Sequence, residues 1–248
     1  MKCICFLFIC LFILSCQSKK KSPLKTVKTE HGYCLISFDS IQYLKKYCDP
    51  ISLRKDTCTQ LTINTLIATG DSLLSGLINS DIDSVMLDMF GGSFKTVNDL
   101  VVKYDEDAFI EMNVTVRGTY KDMLTIAIVY SENALGASHT DHHSVVLTYN
   151  LKTGSSFKWT DMILPEKLKG FHSLGEKLFL QQNNAENWFY ETGKFLVPED
   201  FQLTEKGIYF TFDPYEIAPY SFGDASLFFP FKSVSSYFKP EFEYILAN

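Results

Sequence analysis

Residues 108–130 read AFIEMNVTVRGTYKDMLTIAIVY, and this stretch decides the fold class. Ile110, Met112 and Val114 alternate with polar side chains, and a period of two predicts a β-strand with one buried face. Residues 123–130 are a denser run of aliphatic and β-branched side chains, which predicts a second strand. Residues 118–122 contain a glycine and predict the turn between the two strands, so the stretch is expected to fold as a β-hairpin.

Strands and helices are predicted on both sides of this hairpin. Residues 143–151 predict a third strand, and three sequential strands with short links indicate an antiparallel meander. Apolar residues at intervals of three and four predict helices over 62–79 (broken near Gly70), 81–90, 165–183 and 232–238. Strands are further predicted over 33–38, 207–212 and 225–231, and a loop over 45–57. The sequence therefore predicts an α+β fold of antiparallel sheets packed with helices, in two mixed subdomains that meet near residue 100.

The N-terminus has the features of a bacterial export signal. Lys2 precedes an apolar run over residues 3–14, which is too short to cross about 30 Å of hydrocarbon as a helix. The run ends in Ile13-Leu14-Ser15-Cys16, which resembles the lipobox of bacterial lipoproteins. The resemblance implies a signal peptide over residues 1–15 and a lipid on the thiol of Cys16. A plain signal peptide or a short membrane anchor is the alternative.

Residues 16–30 are expected to serve as the lipid anchor and a polar, basic tether. Gln17 stands where retained inner-membrane lipoproteins commonly have aspartate, and the tether lacks the acidic run associated with surface display in some bacteria. Both features favour a cell-envelope protein that is lipid-anchored in the outer membrane and faces the periplasm.

Composition excludes two classes of protein. A hydrophobic content of 46% suits a folded core and argues against disorder. The formal net charge is −6, and the only lysine run lies in the tether, so no nucleic-acid partner is expected. Gly91-Gly92 lacks the spacing of a phosphate loop, and no cofactor is expected.

The seven cysteines divide unevenly. Four lie in the signal peptide or at the lipidation site, which leaves Cys34, Cys48 and Cys58 in the mature chain. An exported protein can form disulfides, and three thiols allow one bridge with one cysteine left over. Their spacings match no compact zinc site. The predicted pair is Cys48–Cys58, which would close a polar loop, and the other pairings stay open.

Three segments of the second half together resemble a known ectodomain. They are Gly136-Ala137-Ser138-His139, residues 147–154 (LTYNLKTG) with Trp159-Thr160-Asp161-Met162 behind them, and residues 210–223 (FTFDPYEIAPYSFG). They resemble the extracellular domain of the RsiV-type anti-sigma factors, which binds lysozyme. The same domain accompanies the PdaC-type module of peptidoglycan deacetylases and occurs alone in many lipoproteins. The resemblance implies an RsiV-like domain over 101–248 and a PdaC-like part over 31–100, where residues 61–78 match the PdaC-type helix.

The resemblance implies a binding module. The sigma-binding segment of the anti-sigma factors and the catalytic domain of the deacetylases have no counterpart in the sequence, so we expect neither activity. We expect a non-catalytic cell-envelope lipoprotein that is attached to a membrane by its N-terminal lipid and binds lysozyme or peptidoglycan-related ligands. A metal-assisted envelope hydrolase and a structural envelope component are the alternatives.

The loop over 213–223 is the first candidate binding surface. Pro214 and Pro219 fix φ and remove two backbone donors, which makes the loop stiff. Tyr215, Tyr220 and Phe222 supply aromatic area on that frame, which suits recognition because little entropy is lost on binding. The alternative is a structural turn whose tyrosines pack onto the helix. His139 joins this set because it follows the recurrent pattern of the family.

The stretch His139-Thr140-Asp141-His142-His143 is the second candidate site. Imidazole and carboxylate groups are zinc donors, and His139, Asp141 and His142 are the alternative metal ligands. Strand alternation separates His142 from His143, so a polar loop with His139 hydrogen-bonded to the backbone is preferred and no metal is assigned. Ser138, His139 and Asp141 have the residue types of a hydrolytic triad. Because the G-x-S-x-G elbow is missing, no catalytic residue is assigned.

Overall fold

The computed structural model describes residues 25–28, 35–48, 58–90, 108–183, 194–223 and 225–246. The predicted signal peptide, Cys16, Cys34 and most of the tether lie outside these residues. Residues 25–28 of the expected tether form a strand that pairs with the folded body. Of the helices in the described ranges, none combines the length and the apolarity needed to cross a bilayer.

The larger sheet has seven strands in chain order. The strands are β1 (Lys25–Lys28), β2 (Leu35–Cys48), β3 (Cys58–Gly70), β4 (Ala108–Tyr120), β5 (Met123–Ala134), β6 (Asp141–Asn150) and β7 (Ser155–Ser156). Neighbours are antiparallel except β3 and β4, which run parallel. The predicted meander is confirmed as β4, β5 and β6. Because β3 pairs with β4, one continuous sheet extends across residue 100.

The turn of the central hairpin lies later than predicted. Gly118 belongs to β4, where the register with β5 shifts between Val116 and Gly118 in a β-bulge. The chain reverses at Lys121 and Asp122, and Lys121 has the positive φ of 52° that such tight turns require.

The helix predicted over 62–79 is wrong in its first half. Residues up to Gly70 form β3, which pairs with β2 on one side and with β4 on the other. Leu61 and Ile63 face the core of the sheet with polar residues between them, so the apparent helical spacing arises from a strand followed by a helix. Helix α1 (Ser72–Phe90) begins after Asp71, whose carboxylate accepts hydrogen bonds from the N–H groups of Leu73 and Leu74. The two predicted helices over 71–90 are one.

The loop predicted over 45–57 is wrong in its first four residues, because β2 continues to Cys48. Cys48 and Cys58 are directly paired residues of β2 and β3, and they form the predicted disulfide with an S–S distance of 2.07 Å. The disulfide joins the last residue of β2 to the first residue of β3. Residues 49–57, which connect them in sequence, lie outside the described part.

The smaller sheet has three antiparallel strands, β8 (Phe201–Thr204), β9 (Gly207–Phe212) and β10 (Ala225–Pro230), in the order β10-β9-β8. Its helices are α2 (Trp159–Met162), α3 (Leu168–Asn183) after a 3-10 turn at Pro165–Lys167, and α4 (Phe231–Val234). The predicted strands over 207–212 and 225–231 and the helix over 165–183 are confirmed. The predicted C-terminal helix is α4 followed by a 3-10 turn at Ser235–Tyr237.

The hydrophobic interior has two parts. One lies between the larger sheet and α1 and includes Leu61, Leu74, Ile126 and Tyr149. The other lies between the smaller sheet and its helices and is aromatic: Phe171 stacks on Trp159 and on Phe229, with ring centroids 5.0 and 4.5 Å apart. The first core draws on residues 36–86 and 110–151, so both sides of residue 100 contribute to it. The α+β class is confirmed.

Candidate functional site

The structure brings together Tyr215, Tyr220 and His139, three of the residues that the sequence selects. The His139 ring stacks on the Tyr220 ring with centroids 3.9 Å apart and planes 15° apart. His139 Nε2 and the Tyr215 hydroxyl are hydrogen-bonded at 3.1 Å. His139 therefore bonds to a side chain, and the predicted bond to the backbone is wrong. We call these three residues the aromatic cluster.

Tyr215 has an unusual backbone conformation. Its φ is 68°, a region that bulky residues with a Cβ rarely adopt. A turn fixes it: the N–H of Glu216 donates to the carbonyl of Asp213 at 3.1 Å, and the N–H of Asp213 donates to the Glu216 carboxylate at 2.9 Å. The Tyr215 side chain is 51% exposed. Strain of this kind persists where surrounding contacts enforce it, and it is concentrated at functional sites.

The alternative in which the loop tyrosines pack onto a helix does not describe the ring contacts of Tyr220. Its ring contacts lie with His139, with His142 at 6.0 Å and with Tyr215 at 6.1 Å between centroids. Pro219 precedes the short 3-10 helix Tyr220–Phe222 with φ of −57° and so sets the direction of that turn. The side chain of Phe222 lies outside the described residues.

Asp213 attaches this loop to β6. Its carboxylate accepts hydrogen bonds from both the N–H and the hydroxyl of Ser144, each at 2.9 Å. The other oxygen lies 3.5 Å from His143 Nδ1. The hydrogen bonds from Ser144 of β6 to the Asp213 carboxylate therefore hold the loop against the larger sheet.

The histidine-rich stretch does not converge on a metal site. Asp141 Oδ1 is 3.6 Å from His139 Nδ1, beyond hydrogen-bond distance, and that buried nitrogen has no hydrogen-bond partner. Asp141 starts β6 and does not lie in the preceding loop. Among the residues that the structure describes, no three His, Cys, Asp or Glu side chains form a group able to hold a metal ion. The alternative ligand set His139, Asp141 and His142 is therefore not assembled.

A groove of about 610 Å³ adjoins the loop. We call it the β6 groove: residues 145–149 of β6 form one wall and residues 196–201 form the other, with Trp159 and His172 also lining it. Ligand sites commonly have volumes of roughly 300–1,000 Å³ and mostly apolar walls with a few polar groups. The β6 groove has that size and that composition.

Specific hydrogen bonds hold the second wall in place. The Trp159 indole N–H donates to the carbonyl of Pro198 at 2.9 Å, and the N–H of Val197 donates to His172 Nδ1 at 3.0 Å. Burial lowers the pKa of His172, so the neutral ring that can accept this bond is favoured. The wall is thus fixed by side chains of α2 and α3 and not by a strand ladder.

Carboxylates cluster at one end of the β6 groove. A hollow of about 220 Å³ is lined by Pro198 and by four acidic residues, Glu199, Asp200, Asp213 and Glu216. We call it the acidic hollow. Burial and, to a smaller extent, the neighbouring carboxylates raise the pKa of Asp200 to about 7, although a hydrogen bond from the N–H of Val146 acts to lower it. The acidic hollow would therefore favour a cation.

Tyr149 and Asp81 lie at the other side of the groove. The Tyr149 hydroxyl donates to Asp81 Oδ2 at 3.0 Å, which joins β6 to α1. Burial, with the Asp81 charge and hydrogen bond, raises the pKa of Tyr149, so the phenol stays protonated. This end of the groove is a fixed structural contact.

The loop and the smaller sheet lie within the part of the chain that matches a known family model. Residues 163–232 match the family described as protein of unknown function (DUF3298). The match includes α3, β8, β9, the loop with Tyr215 and Tyr220, and β10, but not His139. No curated protein sequence matches the chain at a significant level.

Two solved structures show the same fold. A DUF3298 family member from Bacteroides fragilis NCTC 9343 is 17% identical with a TM-score of 0.64, over 87% of this chain and 98% of that one. A DUF3298 family protein from Pseudomonas aeruginosa PAO1 is 17% identical with a TM-score of 0.60, over 88% of this chain and 96% of that one. The likeness extends to the larger sheet, well beyond residues 163–232, and at this identity it is a likeness of fold.

Sequence reasoning missed the groove and the acidic hollow. Glu199 and Asp200 lie just before β8 in a segment without a predicted site, and Glu216 lies in the family-like loop without a predicted role. No local pattern marks them, because they meet β6 only through the packing of the smaller sheet on the larger one. Trp159 lies in one of the family-like segments, but no sequence pattern predicts its hydrogen bond to the carbonyl of Pro198.

Proposed function

We propose that the protein is a non-catalytic binding module of the bacterial cell envelope, and that it binds lysozyme through the aromatic cluster. The observation that carries the proposal is Tyr215: it is half exposed, held at positive φ, and hydrogen-bonded to His139. Its ring is therefore positioned before a partner arrives, which reduces the entropy cost of binding.

The chemistry of the cluster suits a protein partner. Tyrosines are frequent binding hot spots because they combine a large apolar ring with a polar hydroxyl. The rings of His139 and Tyr220 lie 6.3 and 6.1 Å from the Tyr215 ring between centroids, and Asp213 and Glu216 belong to the same turn as Tyr215. Lysozyme is the first partner to test because of the resemblance to the RsiV-type ectodomain; the DUF3298 match supports the domain and not the ligand.

A calorimetric titration of the purified protein with lysozyme tests the proposal. We expect saturable heat at micromolar concentrations, and Tyr215→Ala should weaken binding by about thirtyfold, the effect of a hot spot worth about 2 kcal/mol. Tyr209→Ala is the matched control: Tyr209 is 38% exposed and lies on β9, outside the aromatic cluster. No heat at micromolar concentrations, or equal losses in both variants, would refute lysozyme binding at this surface.

Soluble peptidoglycan fragments belong in the same titration as a second ligand. Heat with these fragments and none with lysozyme would make the module a peptidoglycan binder. The hydrolase alternative is tested by zinc content: near-stoichiometric zinc that is lost in His139→Ala and His142→Ala would replace the binding proposal. If neither ligand nor metal binds, the structural envelope component is the remaining class.

The lipid anchor is part of the proposal and has its own test. Export and lipidation at Cys16 predict that metabolic labelling with palmitate marks the protein and that Cys16→Ala removes the label. An outer-membrane anchor facing the periplasm predicts co-fractionation with outer-membrane markers and protection from protease in intact cells. Label that persists in Cys16→Ala would refute the lipidation site.

A further inference from the structure

The outer edge of β6 lies along the β6 groove. β6 pairs with β5 along its whole length, but β7 pairs on the other side only with Tyr149 and Asn150. Among the described residues, no strand pairs with this edge over residues 141–148. An edge strand of this kind presents backbone donors and acceptors to any extended segment that approaches.

Two carboxylates occupy the backbone donors of this edge. Asp213 accepts the N–H of Ser144, and Asp200 accepts the N–H of Val146. Ser144 and Val146 are two residues apart, so their N–H groups point to the same side of the strand. The carbonyl of Thr148, the next residue in this series, accepts the N–H of Phe157 at 2.8 Å. Side-chain carboxylates thus stand where the carbonyl groups of a neighbouring strand would be.

We propose that the β6 groove binds a short extended peptide with a basic side chain, which adds to β6 as an extra strand. The peptide carbonyls would replace the carboxylates as acceptors for Ser144 and Val146. The released carboxylates of Asp200 and Asp213 would then pair, together with Glu199 and Glu216, with the basic side chain in the acidic hollow. Each backbone donor keeps an acceptor, and the released carboxylates share the single cation of the basic side chain, so the exchange replaces the hydrogen bonds that it breaks.

Charge and shape both support this occupant. All lining residues of the acidic hollow except Pro198 are acidic, and the hollow opens beside the two edge positions that would bind the peptide backbone. The far wall offers Val197 and the exposed Leu196, 56% accessible, to alternate apolar side chains of the peptide. Strand addition of this type takes its affinity from the backbone and its specificity from alternate side-chain pockets.

The proposal does not depend on lysozyme as the partner, because the peptide would bind to the β6 edge and not to the Tyr215 ring, although the acidic hollow shares Asp213 and Glu216 with the turn that carries Tyr215. The probe is a fluorescein-labelled hexapeptide of alternating valine and threonine with one central lysine, titrated into the full chain in detergent and followed by anisotropy. We expect saturable binding below millimolar concentration. A peptide with glutamate in place of the lysine, and one with alternate amides N-methylated, should each bind at least about tenfold more weakly.

Matched protein variants and hydrogen exchange locate the site. The double variant Glu199→Gln with Glu216→Gln should weaken binding of the lysine peptide by about tenfold, whereas Asp88→Asn, an exposed position on α1, should not. Bound peptide should slow amide exchange in a fragment that covers 144–148. Three results would overturn the proposal: no saturation up to millimolar peptide, equal binding of the lysine and glutamate peptides, or binding without protection at 144–148. Failure of lysozyme to bind would leave these results unchanged.

Discussion

Replacing Asp200 with asparagine should stabilise the protein, and the gain should depend on pH. Burial, aided by the charges of Asp213, Glu216 and Glu199, raises the pKa of Asp200 from 3.8 to about 7. The unfolded chain loses this proton near pH 4, and the folded protein retains it until about pH 7. The folded state therefore binds more protons across that window, and stability decreases as pH rises through it.

The expected magnitude follows from the two pKa values. A tenfold change in a protonation equilibrium is worth about 1.4 kcal/mol, so ionised Asp200 costs the folded protein about 4 kcal/mol above pH 7. Asparagine keeps an oxygen that can accept the N–H of Val146 and carries no charge. Part of the burial cost remains for the amide, and we expect a net gain of about 2–4 kcal/mol at pH 8. The gain should shrink by about 1.4 kcal/mol for each pH unit below 7 and vanish between about pH 5.5 and pH 4.

Thermal unfolding at half-unit steps from pH 4.5 to 8.5 checks this prediction. For a chain of this size a gain of about 3 kcal/mol raises the melting temperature by roughly 6–12 °C. Asp88→Asn removes an exposed carboxylate on α1 and should leave the curve unchanged within about 0.5 kcal/mol. If Asp200→Asn shifts stability by the same amount at every pH, burial does not control this carboxyl and the reasoning fails. A loss at pH 8 would show that its hydrogen bond outweighs its charge.

Two further changes test the packing. Gly175→Ala should destabilise by about 1–2 kcal/mol in urea unfolding, although alanine favours helices, because its Cβ would lie 2.8 Å from Val197 Cγ2. Gly170→Ala in the same helix, where the nearest atom is a tyrosine ring carbon at 3.4 Å, is the control and should be neutral or stabilising; equal effects would contradict the packing assignment. Replacing Cys48 and Cys58 together by serine should cost about 2–3 kcal/mol, measured against the oxidised and reduced parent, since the disulfide closes a short loop. A double variant as stable as the oxidised parent would contradict it.

Strands β4, β9 and β10 were predictable because burial alternates along them, and β5 was predictable as a dense run of aliphatic and β-branched residues; β8 was not predicted. Residues 207–212 were placed without error, since each side chain of β9 lies on one face or the other of a sheet packed on one side. Residues 62–79 were predicted incorrectly. They contain the end of a strand and the start of a helix, and the combined spacing of their apolar residues resembles that of a single helix. Only pairing with β2 and β4 shows that residues 58–70 are extended, and those partners lie far away in sequence.

The candidate site, like the fold, was predicted only in part. Tyr215, Tyr220 and His139 were chosen from local composition and family resemblance, and the structure places them together. The acidic hollow was not predicted, because no sequence pattern near Asp200 or Asp213 distinguishes them from other acidic residues. Their role depends on hydrogen bonds to the edge of β6, which is distant in sequence. The pKa of Asp200 depends on burial, and burial is a property of packed elements that no short window of sequence contains.

The sequence by itself determined the α+β class, the positions of β4, β5, β6, β9 and β10, the stiff loop and the aromatic residues that the loop carries. These depend on local periodicity and on proline and glycine, whose effects act within a few residues. Tertiary structure alone decided the parallel pairing of β3 with β4, the groove between β6 and residues 196–201, and the carboxylates that cap its edge. Each of these requires residues more than 40 positions apart to meet, and such contacts are set by the packing of the whole chain.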